Sequence, residues 1–452
     1  MRRIALYLGI DRAIFFTLIA RGWNIGAGLL TIVFIAHYLT PSLQGYYYTA
    51  NSLIALQVFA ELGLNFAIVQ FASHEMAHLS WSADGVVKGE AGAKRRLQSL
   101  LHFAFSWFGV AALLMVVVLL PAGFYFFDTG KSAVLPLSSI AMPWALLVVF
   151  ASANLFVSAA SAILEGCGKV AHVAMLRLWQ SIVAIPMAWL VLSMGGHLFA
   201  LTVTSMATFL VGFVWLFINY RHFFRNLLSH RTPLPGMNWR TEIWPFQWRI
   251  AVSWASGYLI FQFFNPFLFK THGAIVAGQM GMTLQIITAM NGAAMAWITT
   301  KAPVYGQLIA TNQRVALDTL FRRGLLQSLG ILMVAVVTVW LAVFYLNITA
   351  SPYAIRVVPL NLFTWLCVVC LANHIVFAEA SYLRAHKQEP FLGISVMGAV
   401  SIVILVVLFV PHWGLAGAVY SYTVSTLLFG LVGGTVVFFK KRKQFNLLNC
   451  IV

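Results

Sequence analysis

The chain has 452 residues, of which 61% are hydrophobic and only 9% are charged. A soluble domain with this balance would expose large apolar patches, so the composition excludes a water-soluble protein. The apolar residues form long continuous runs rather than alternating ones, which favours transmembrane helices over a β-barrel. The formal net charge of +17 would suit a nucleic-acid-binding protein, and the positions of the basic residues along the chain decide whether that interpretation holds.

Twelve apolar runs predict twelve transmembrane helices, which we call predicted spans 1 to 12. They cover 13–39, 45–73, 99–127, 138–164, 171–194, 197–220, 246–270, 274–300, 322–346, 358–383, 391–410 and 413–439. The first run is too long for the apolar core of a signal peptide, so we interpret it as an uncleaved helix. The chain is therefore predicted to be an all-α integral membrane protein.

The basic residues follow the positive-inside rule. If the N-terminus is cytoplasmic, 23 of the 28 Lys and Arg residues fall on inner segments, 3 fall on outer segments and 2 lie within spans. This bias predicts that both termini are cytoplasmic. Because the charge is spread over every inner segment, it argues against a nucleic-acid partner and is compatible with anionic inner-leaflet lipids.

A proline-containing inner connection, the longest of the chain, divides the spans into two groups of six. The predicted domains are an N-terminal lobe at 1–220, a cytoplasmic linker at 221–245, a C-terminal lobe at 246–439 and a basic cytoplasmic tail at 440–452.

An internal repeat supports this division. Lys169, Gly196, Ala200, Thr208, Leu210 and Gly212 recur as Lys387, Gly414, Ala418, Thr426, Leu428 and Gly430, all at one offset. Gly45 after span 1 resembles Gly278 after span 7, and we interpret both, with Pro41, as turn residues. Six spans per lobe give a parallel pseudo-repeat with an axis along the membrane normal. Two such lobes predict a central cavity and alternating access.

Two charged residues stand out within the first hairpin of spans. Arg21 lies about nine residues into span 1, or roughly 13 Å deep, and Glu61 lies roughly 18 Å deep in span 2. Spans 1 and 2 are antiparallel neighbours, so an Arg21–Glu61 pair is within reach. The pair either faces the cavity or forms a structural salt bridge between the two helices.

Three further residues are candidates for function. Arg177 in span 5 could bind an anion together with Arg21, since guanidinium groups suit phosphate oxygens, or could extend to the inner surface. Glu379 in span 10 could couple to H⁺ or Na⁺, and it could equally be a boundary acid. His374, beside Asn373, could belong to a proton relay or to a hydrogen-bonded structural pair.

The sequence shows no motif for a cofactor or a catalytic metal. Cys367 and Cys370 form a CxxC pattern inside an apolar helix without neighbouring ligands, so we interpret them as packing residues. We expect no cofactor and no metal.

Short motifs in the first hairpin resemble the bacterial polysaccharide exporter family of the multidrug/oligosaccharidyl-lipid/polysaccharide (MOP) exporter superfamily. The matching residues are Leu39-Thr40-Pro41 with Gly45-Tyr46-Tyr47, then Glu61-Leu62-Gly63-Leu64, then Gln70 and Ser73. The resemblance implies a MOP-exporter-like fold and an undecaprenyl-diphosphate-linked glycan as substrate. It also implies that Arg21 faces a cationic cavity. Predicted span 8 departs from that pattern, because it contains no Arg or Lys.

The hypothesis that follows is a flippase of the bacterial inner membrane, not an enzyme, which moves a lipid-linked anionic oligosaccharide for O-antigen or other surface polysaccharide assembly. Its expected partners are the glycan lipid, the bilayer and polysaccharide assembly proteins. One alternative is an ion-coupled antiporter for drugs or small metabolites with the same fold. A membrane-embedded glycan polymerase or ligase fits less well, because no outer loop is large enough for a catalytic site. A lipid-binding structural partner in an envelope complex is the last alternative.

Overall fold

A computed structural model describes residues 12–82, 84–127, 136–229, 236–386 and 390–448. Its first half contains eight α-helices and one β-hairpin. The helices are α1 (Arg12–Tyr38), α2 (Pro41–Ile54), α3 (Gln57–Glu61), α4 (Leu64–Met76), α5 (Ala91–Phe127), α6 (Leu137–Gly166), α7 (Val170–Ser193) and α8 (Phe199–Ser229). The hairpin pairs β1 (Leu79–Trp81) with β2 (Val87–Gly89) in antiparallel register, with Leu79 opposite Gly89.

The second half begins with a π-helix at Trp239–Ile243 and is otherwise α-helical apart from two short turns of other helix types. Its helices are α9 (Trp244–Phe261), α10 (Phe264–His272), α11 (Ala274–Thr299), α12 (Ala302–Ala310), α13 (Arg314–Ile348), α14 (Leu360–Ala385), α15 (Leu392–Ser425) and α16 (Gly434–Leu448). A 3₁₀ turn covers Ala354–Arg356, and a second π-helix, Thr426–Gly433, joins α15 to α16.

Long apolar helices dominate the fold. Within the described residues, eight helices are long and apolar enough to cross a membrane, or nine if α2–α3 and α4, bent by 41°, count as one span. The longest stretch, Leu392–Phe445, has 54 residues, or roughly 80 Å at ~1.5 Å per residue, which is far more than one bilayer core. It is interrupted at Gly414, whose φ of 52° and ψ of −127° are not helical, so it provides two spans. The predicted all-α membrane fold is confirmed.

The structure also has helices where spans 7 and 8 are predicted. Span 7 is broken into α9 and α10, and span 8 is the continuous helix α11. Every one of the twelve predicted apolar runs therefore coincides with helical structure in the described part of the chain.

The chain forms two compact units whose bounds differ from those of the predicted lobes. Unit 1 comprises residues 1–39 and 53–255, and unit 2 comprises 40–52 and 256–452. The segment 221–229 of the predicted linker continues α8, and 236–245 contains the first π-helix. The rest of that linker, 230–235, and the end of the predicted tail, 449–452, lie outside the described residues. The lobe bounds 1–220 and 246–439 remain a prediction.

In unit 1, α1 packs on α7 through aromatic side chains. The Trp189 ring stacks on Phe34 with centroids 5.2 Å apart, and its Nε1 donates to Thr31 Oγ1 at 2.9 Å. In unit 2, an aromatic cluster joins α13, α14 and α16, where Phe321 lies 4.9 Å from Tyr382 and 5.7 Å from Phe438 between centroids. Each unit thus has its own apolar core, which fixes the positions of the polar residues described next.

Candidate functional site

Predicted span 2 is a broken helix, and its candidate acid lies at the break. Helix α3 ends at Glu61, and Leu62 (φ 46°) and Gly63 (φ 67°) both adopt left-handed backbone conformations before α4 begins. A helix break inside a membrane exposes backbone polar groups, so it is tolerated where protein or water satisfies them. Here Trp107 Nε1 of α5 donates to the carbonyl oxygen of Ala60 at 3.1 Å.

Glu61 is held by an amide rather than by the predicted arginine. Asn65 Nδ2 donates to Glu61 Oε2 at 3.3 Å and to Ser158 Oγ of α6 at 2.7 Å. Among the described residues, Glu61 and Arg21 form no ion pair within 4.0 Å. The predicted Arg21–Glu61 pair is therefore not present in this structure. The prediction depended on similar depths of the two residues along their spans, and depth alone does not decide which way each side chain points.

Arg21 lies on the exposed side of α1. It is the only Lys, Arg, Asp or Glu in the apolar stretch from Ile19 to Tyr38. A cation exposed to hydrocarbon is costly, whereas a water-filled pathway or an anionic ligand would accommodate it. The geometry is thus compatible with the predicted substrate contact of Arg21, which remains a prediction.

Arg177 has a partner that sequence reasoning missed. Its Nη2 donates to Glu165 Oε2 at 2.7 Å, and the Arg177 side chain is 60% exposed while that of Glu165 is 24% exposed. Glu165 lies at the end of α6 and Arg177 lies on α7, so the short turn between these helices brings them together. The exposed guanidinium keeps other faces available to a second acceptor.

The structure brings the three predicted turn residues together, but two of them are not in turns. Pro41 is the first residue of α2, Gly45 lies inside α2, and Gly278 lies inside α11. The turn assignment of Gly45 and Gly278 is therefore corrected. A Cβ added at Gly278 would lie 2.9 Å from the Gly45 nitrogen and 3.2 Å from the Pro41 carbonyl oxygen. Both glycines serve close packing of two helix backbones within unit 2.

Hydrogen bonds flank this glycine contact along α2. Gln44 Nε2 donates to the carbonyl oxygens of Gly278 and Arg356, each at 2.8 Å. Further along α2, Tyr48 OH donates to Gln285 Oε1 at 2.5 Å. Gln44 and Tyr48 of α2 thus bond to other segments of unit 2.

Glu379 is buried in unit 2, with 4% of its surface exposed. Among the described residues its hydrogen-bond partner is a hydroxyl, because Thr435 Oγ1 donates to Oε1 at 3.1 Å and to Oε2 at 3.3 Å. Thr435 is the second residue of α16, which follows the π-helix Thr426–Gly433, and π-helical turns often occur at functional sites. A buried acid with a neutral partner can bind a proton or a small cation, as the predicted coupling role requires.

His374 lies on the same helix as Glu379 and is fully buried. Its Nδ1 is 2.8 Å from Asn291 Oδ1 and its Nε2 is 2.8 Å from Ser328 Oγ. Both ring nitrogens are therefore occupied by neighbouring helices, while the adjacent Asn373 donates to Tyr422 OH at 3.0 Å. The predicted His374–Asn373 pair is replaced by three interhelical hydrogen bonds, two made by His374 and one by Asn373, and the coupling role of His374 remains a prediction.

A charged cluster at the start of α5 was not predicted from the sequence. Arg96 Nε donates to Glu75 Oε1 at 2.7 Å, and its Nη2 donates to Glu242 Oε2 at 2.5 Å. The backbone N–H of Asn238 and the Arg96 guanidinium hold the pKa of Glu242 below its usual value. The residues come from three distant segments, and the sequence shows only that each lies just outside or at the end of an apolar run.

No group of three His, Cys, Asp or Glu side chains in the described part of the chain is arranged to hold a metal ion. Cys367 and Cys370 are buried thiols within α14.

Comparison with solved structures shows which proteins share this fold. A multidrug resistance MATE family transporter of the MOP superfamily, in an inward-facing conformation, is similar over 94% of both chains, with a TM-score of 0.64 and 17% identity. A MOP superfamily transporter from Pyrococcus furiosus, described as having a binding pocket of reverse polarity, matches 97% of this chain and 95% of its own, with a TM-score of 0.60 and 16% identity.

A flippase has the same fold. The lipid II flippase MurJ in an inward closed conformation matches 95% of this chain and 87% of its own, with a TM-score of 0.59 and 14% identity. No family model matches the chain, and no curated protein matches its sequence. At these identities the likeness establishes the fold, which is that of the MOP superfamily transporters and of a lipid flippase.

Proposed function

We propose that this protein is a flippase that moves an undecaprenyl-diphosphate-linked oligosaccharide from the inner to the outer leaflet of the bacterial cytoplasmic membrane by alternating access. The observation that carries the proposal is the exposed cation Arg21 in an apolar helix of a fold that a lipid flippase shares. A fold alone does not determine a substrate, so the argument depends on the chemistry of this residue. The guanidinium would hold the diphosphate oxygens through paired hydrogen bonds.

The other candidate residues take supporting roles in this proposal. Arg177 would assist Arg21 through the exposed side of its guanidinium. Glu379 and His374 would couple transport to H⁺ or Na⁺, supported by the burial of Glu379 beside a neutral hydroxyl. Glu61, at the break of span 2, would hold the broken helix through Asn65 or carry a coupling proton.

The proposal extends to location and partners. Both termini would lie in the cytoplasm, as the distribution of basic residues predicts. The glycan products would go to O-antigen or other surface polysaccharide assembly, and contacts with proteins of that assembly would follow. No cofactor and no catalytic step would be required, because a flippase forms no covalent bond.

A drug or small-metabolite antiporter is the second candidate. It is favoured by the likeness to multidrug transporters and by the buried Glu379, which could exchange a proton for a cationic compound. A glycan polymerase or ligase has less support, since the described connection between α13 and α14, at 349–359, is too short for a catalytic domain.

Replacement of Arg21 tests the proposal directly. In a strain that depends on this protein for surface polysaccharide, Arg21→Ala should reduce surface glycan at least tenfold while lipid-linked glycan accumulates on the inner side. Arg21→Lys should retain part of the activity, because it keeps the charge but not the bidentate geometry. Surface polysaccharide is measured by gel analysis, and the amount of inserted protein is measured by immunoblotting of membranes.

A matched control is Arg322→Ala, which removes an arginine of α13 that is also exposed. The control should leave export unchanged. Normal surface glycan in Arg21→Ala at normal protein levels contradicts the flippase proposal. Loss of resistance to a cationic drug with intact glycan export supports the antiporter instead.

A further inference from the structure

A cavity of about 1240 Å³ lies on unit 1 between α5, α6 and α8. Its walls are apolar and largely aromatic, formed chiefly by Phe105, Phe156, Phe209, Phe213 and Phe217. Phe213 is 53% exposed and Phe217 is 55% exposed, so the cavity is open to the surroundings of the protein. Phe209, Phe213 and Phe217 stack along α8 at centroid distances of 5.7 Å and 6.3 Å, so they form one continuous aromatic wall.

One end of this cavity is cationic. Arg221 and Arg225 line it together with His222, and all three side chains are exposed. Within the described residues, neither arginine forms an ion pair with a carboxylate. Arg225 contacts His222 instead, and the distance from Arg225 Nη2 to His222 Nδ1 is 3.4 Å.

The arginine spacing itself favours an anion. Like charges at positions i and i+4 of a helix repel each other, and Arg221 and Arg225 have this spacing at the end of α8. The carboxyl end of the helix offsets part of the repulsion through its dipole. The helix dipole would account for the presence of two basic residues at the end of α8. It does not account for the aromatic cavity that ends at these residues.

The dimensions suit one leaflet of a bilayer. From Phe209 to Arg221 the helix rises roughly 18 Å at ~1.5 Å per residue. This is close to half of a hydrocarbon core of ~30 Å. The positive-inside prediction places Arg221 and Arg225 at the inner surface, so the aromatic wall would lie at the depth of the inner-leaflet chains.

We propose that this groove, between the aromatic wall and the pair Arg221 and Arg225, binds an anionic glycerophospholipid of the inner leaflet. The phosphate lies between the two guanidinium groups, and the acyl chains lie along Phe213 and Phe217. Basic pockets between helices on the cytoplasmic side are typical sites for anionic head groups. A polyprenyl chain is far longer than one leaflet, so the length of the groove favours acyl chains over the carried lipid.

The test uses the full-length protein in lipid nanodiscs with defined mixtures of phosphatidylglycerol and phosphatidylcholine. Native mass spectrometry counts bound phosphatidylglycerol, and thermal unfolding reports its effect on stability. We expect Arg221→Gln with Arg225→Gln to bind phosphatidylglycerol about 30-fold more weakly, given the usual contribution of each basic residue to anionic lipid binding. The variant should also lose most of the stabilisation that phosphatidylglycerol gives the unmodified protein.

Two controls separate this groove from general charge effects. Arg240→Gln with Arg322→Gln removes two exposed arginines that do not line the cavity, and it should bind phosphatidylglycerol like the unmodified protein. Ala153→Trp fills the groove without removing charge and should weaken binding as much as the arginine pair does. Equal binding of both phospholipids, or an equal loss in the control pair, overturns the proposal. Displacement of phosphatidylglycerol by undecaprenyl phosphate at equal concentration overturns it too, since the occupant would then be the polyprenyl lipid.

Discussion

Glu61 and Arg177, two charged residues of the predicted spans, each bond to a residue of a neighbouring helix. Glu61 accepts a hydrogen bond from Asn65 across the break between α3 and α4, and Arg177 bonds to Glu165 across a short turn. Sequence analysis identified Glu61 and Arg177 as unusual because intramembrane charge is rare. It could not assign their partners, because the sequence gives the depth of a residue along its helix but not the direction in which its side chain points around the helix axis.

The Arg177–Glu165 pair allows substrate binding to be separated from stability. Arg177→Ala should lower the free energy of unfolding by no more than about 1 kcal/mol, because the Arg177 side chain is mostly exposed. If Arg177 assists Arg21, export should fall strongly in Arg177→Ala and persist in Glu165→Gln, which keeps the guanidinium. Surface glycan and thermal unfolding of both variants are the measurements. An identical loss of export in the two variants would show that the ion pair is structural.

The acid Glu242 should make stability depend on pH. Since its pKa in the folded protein is lowered, the carboxylate stabilises the fold above the ordinary pKa of about 4.3. That stabilisation is lost as the pH falls through the folded pKa. The melting temperature of the unmodified protein should therefore exceed that of Glu242→Gln at pH 7, and the two should converge only as the pH falls below the lowered pKa of the folded state.

A carboxylate in a different setting provides the control for this pH effect. Asp84 pairs with Lys88 at 3.6 Å, with both side chains largely exposed. Such pairs contribute little, so Asp84→Asn should leave the melting temperature unchanged at each pH. A difference between the unmodified protein and Glu242→Gln that stays constant as the pH falls from 7 through the lowered folded-state pKa would rule out the ionised carboxylate as the cause.

Two of the helix interruptions of this protein lie at glycines with left-handed φ values, and a proline does not always interrupt a helix. Pro121, Pro143 and Pro186 lie inside continuous helices, whereas Gly63 and Gly414 lie at interruptions. Hydrophobic periodicity predicted span 2 as one helix, because the break at Leu62–Gly63 leaves the apolar pattern intact. The boundary between spans 11 and 12 was predicted within a few residues of Gly414, since polar and proline residues precede it.

The contact between α2 and α11 depends on glycine. Gly278→Ala should destabilise the protein by about 1–3 kcal/mol, because its Cβ would meet the α2 backbone, which cannot move aside easily. Gly292→Ala, in the same helix with no neighbour within 4 Å, should be neutral or stabilising by up to about 1 kcal/mol. Thermal unfolding in one detergent compares the two variants. Equal melting temperatures would mean that the helices do not approach as closely as described.

The whole molecule was more predictable than its parts. Composition and continuous apolar runs were enough for the all-α membrane fold, because the bilayer leaves a chain few ways to satisfy its backbone. The substrate was not predictable in the same way, since one fold serves multidrug transporters and a lipid flippase. The compact units also differ from the sequence halves, because segment 40–52 packs with distant residues that periodicity does not reveal.

The division of the chain has a consequence for how the protein can be cut. Three peptide bonds, after residues 39, 52 and 255, pass from one unit to the other. A protease nick between 229 and 236, at the boundary of the sequence halves, falls within unit 1 and cuts none of them. Each of the two resulting fragments would contain part of both units. The N-terminal fragment would include segment 40–52 of unit 2, and the C-terminal fragment would include the end of unit 1, up to residue 255. Neither fragment corresponds to one complete unit, so fragments made separately would have to fold together.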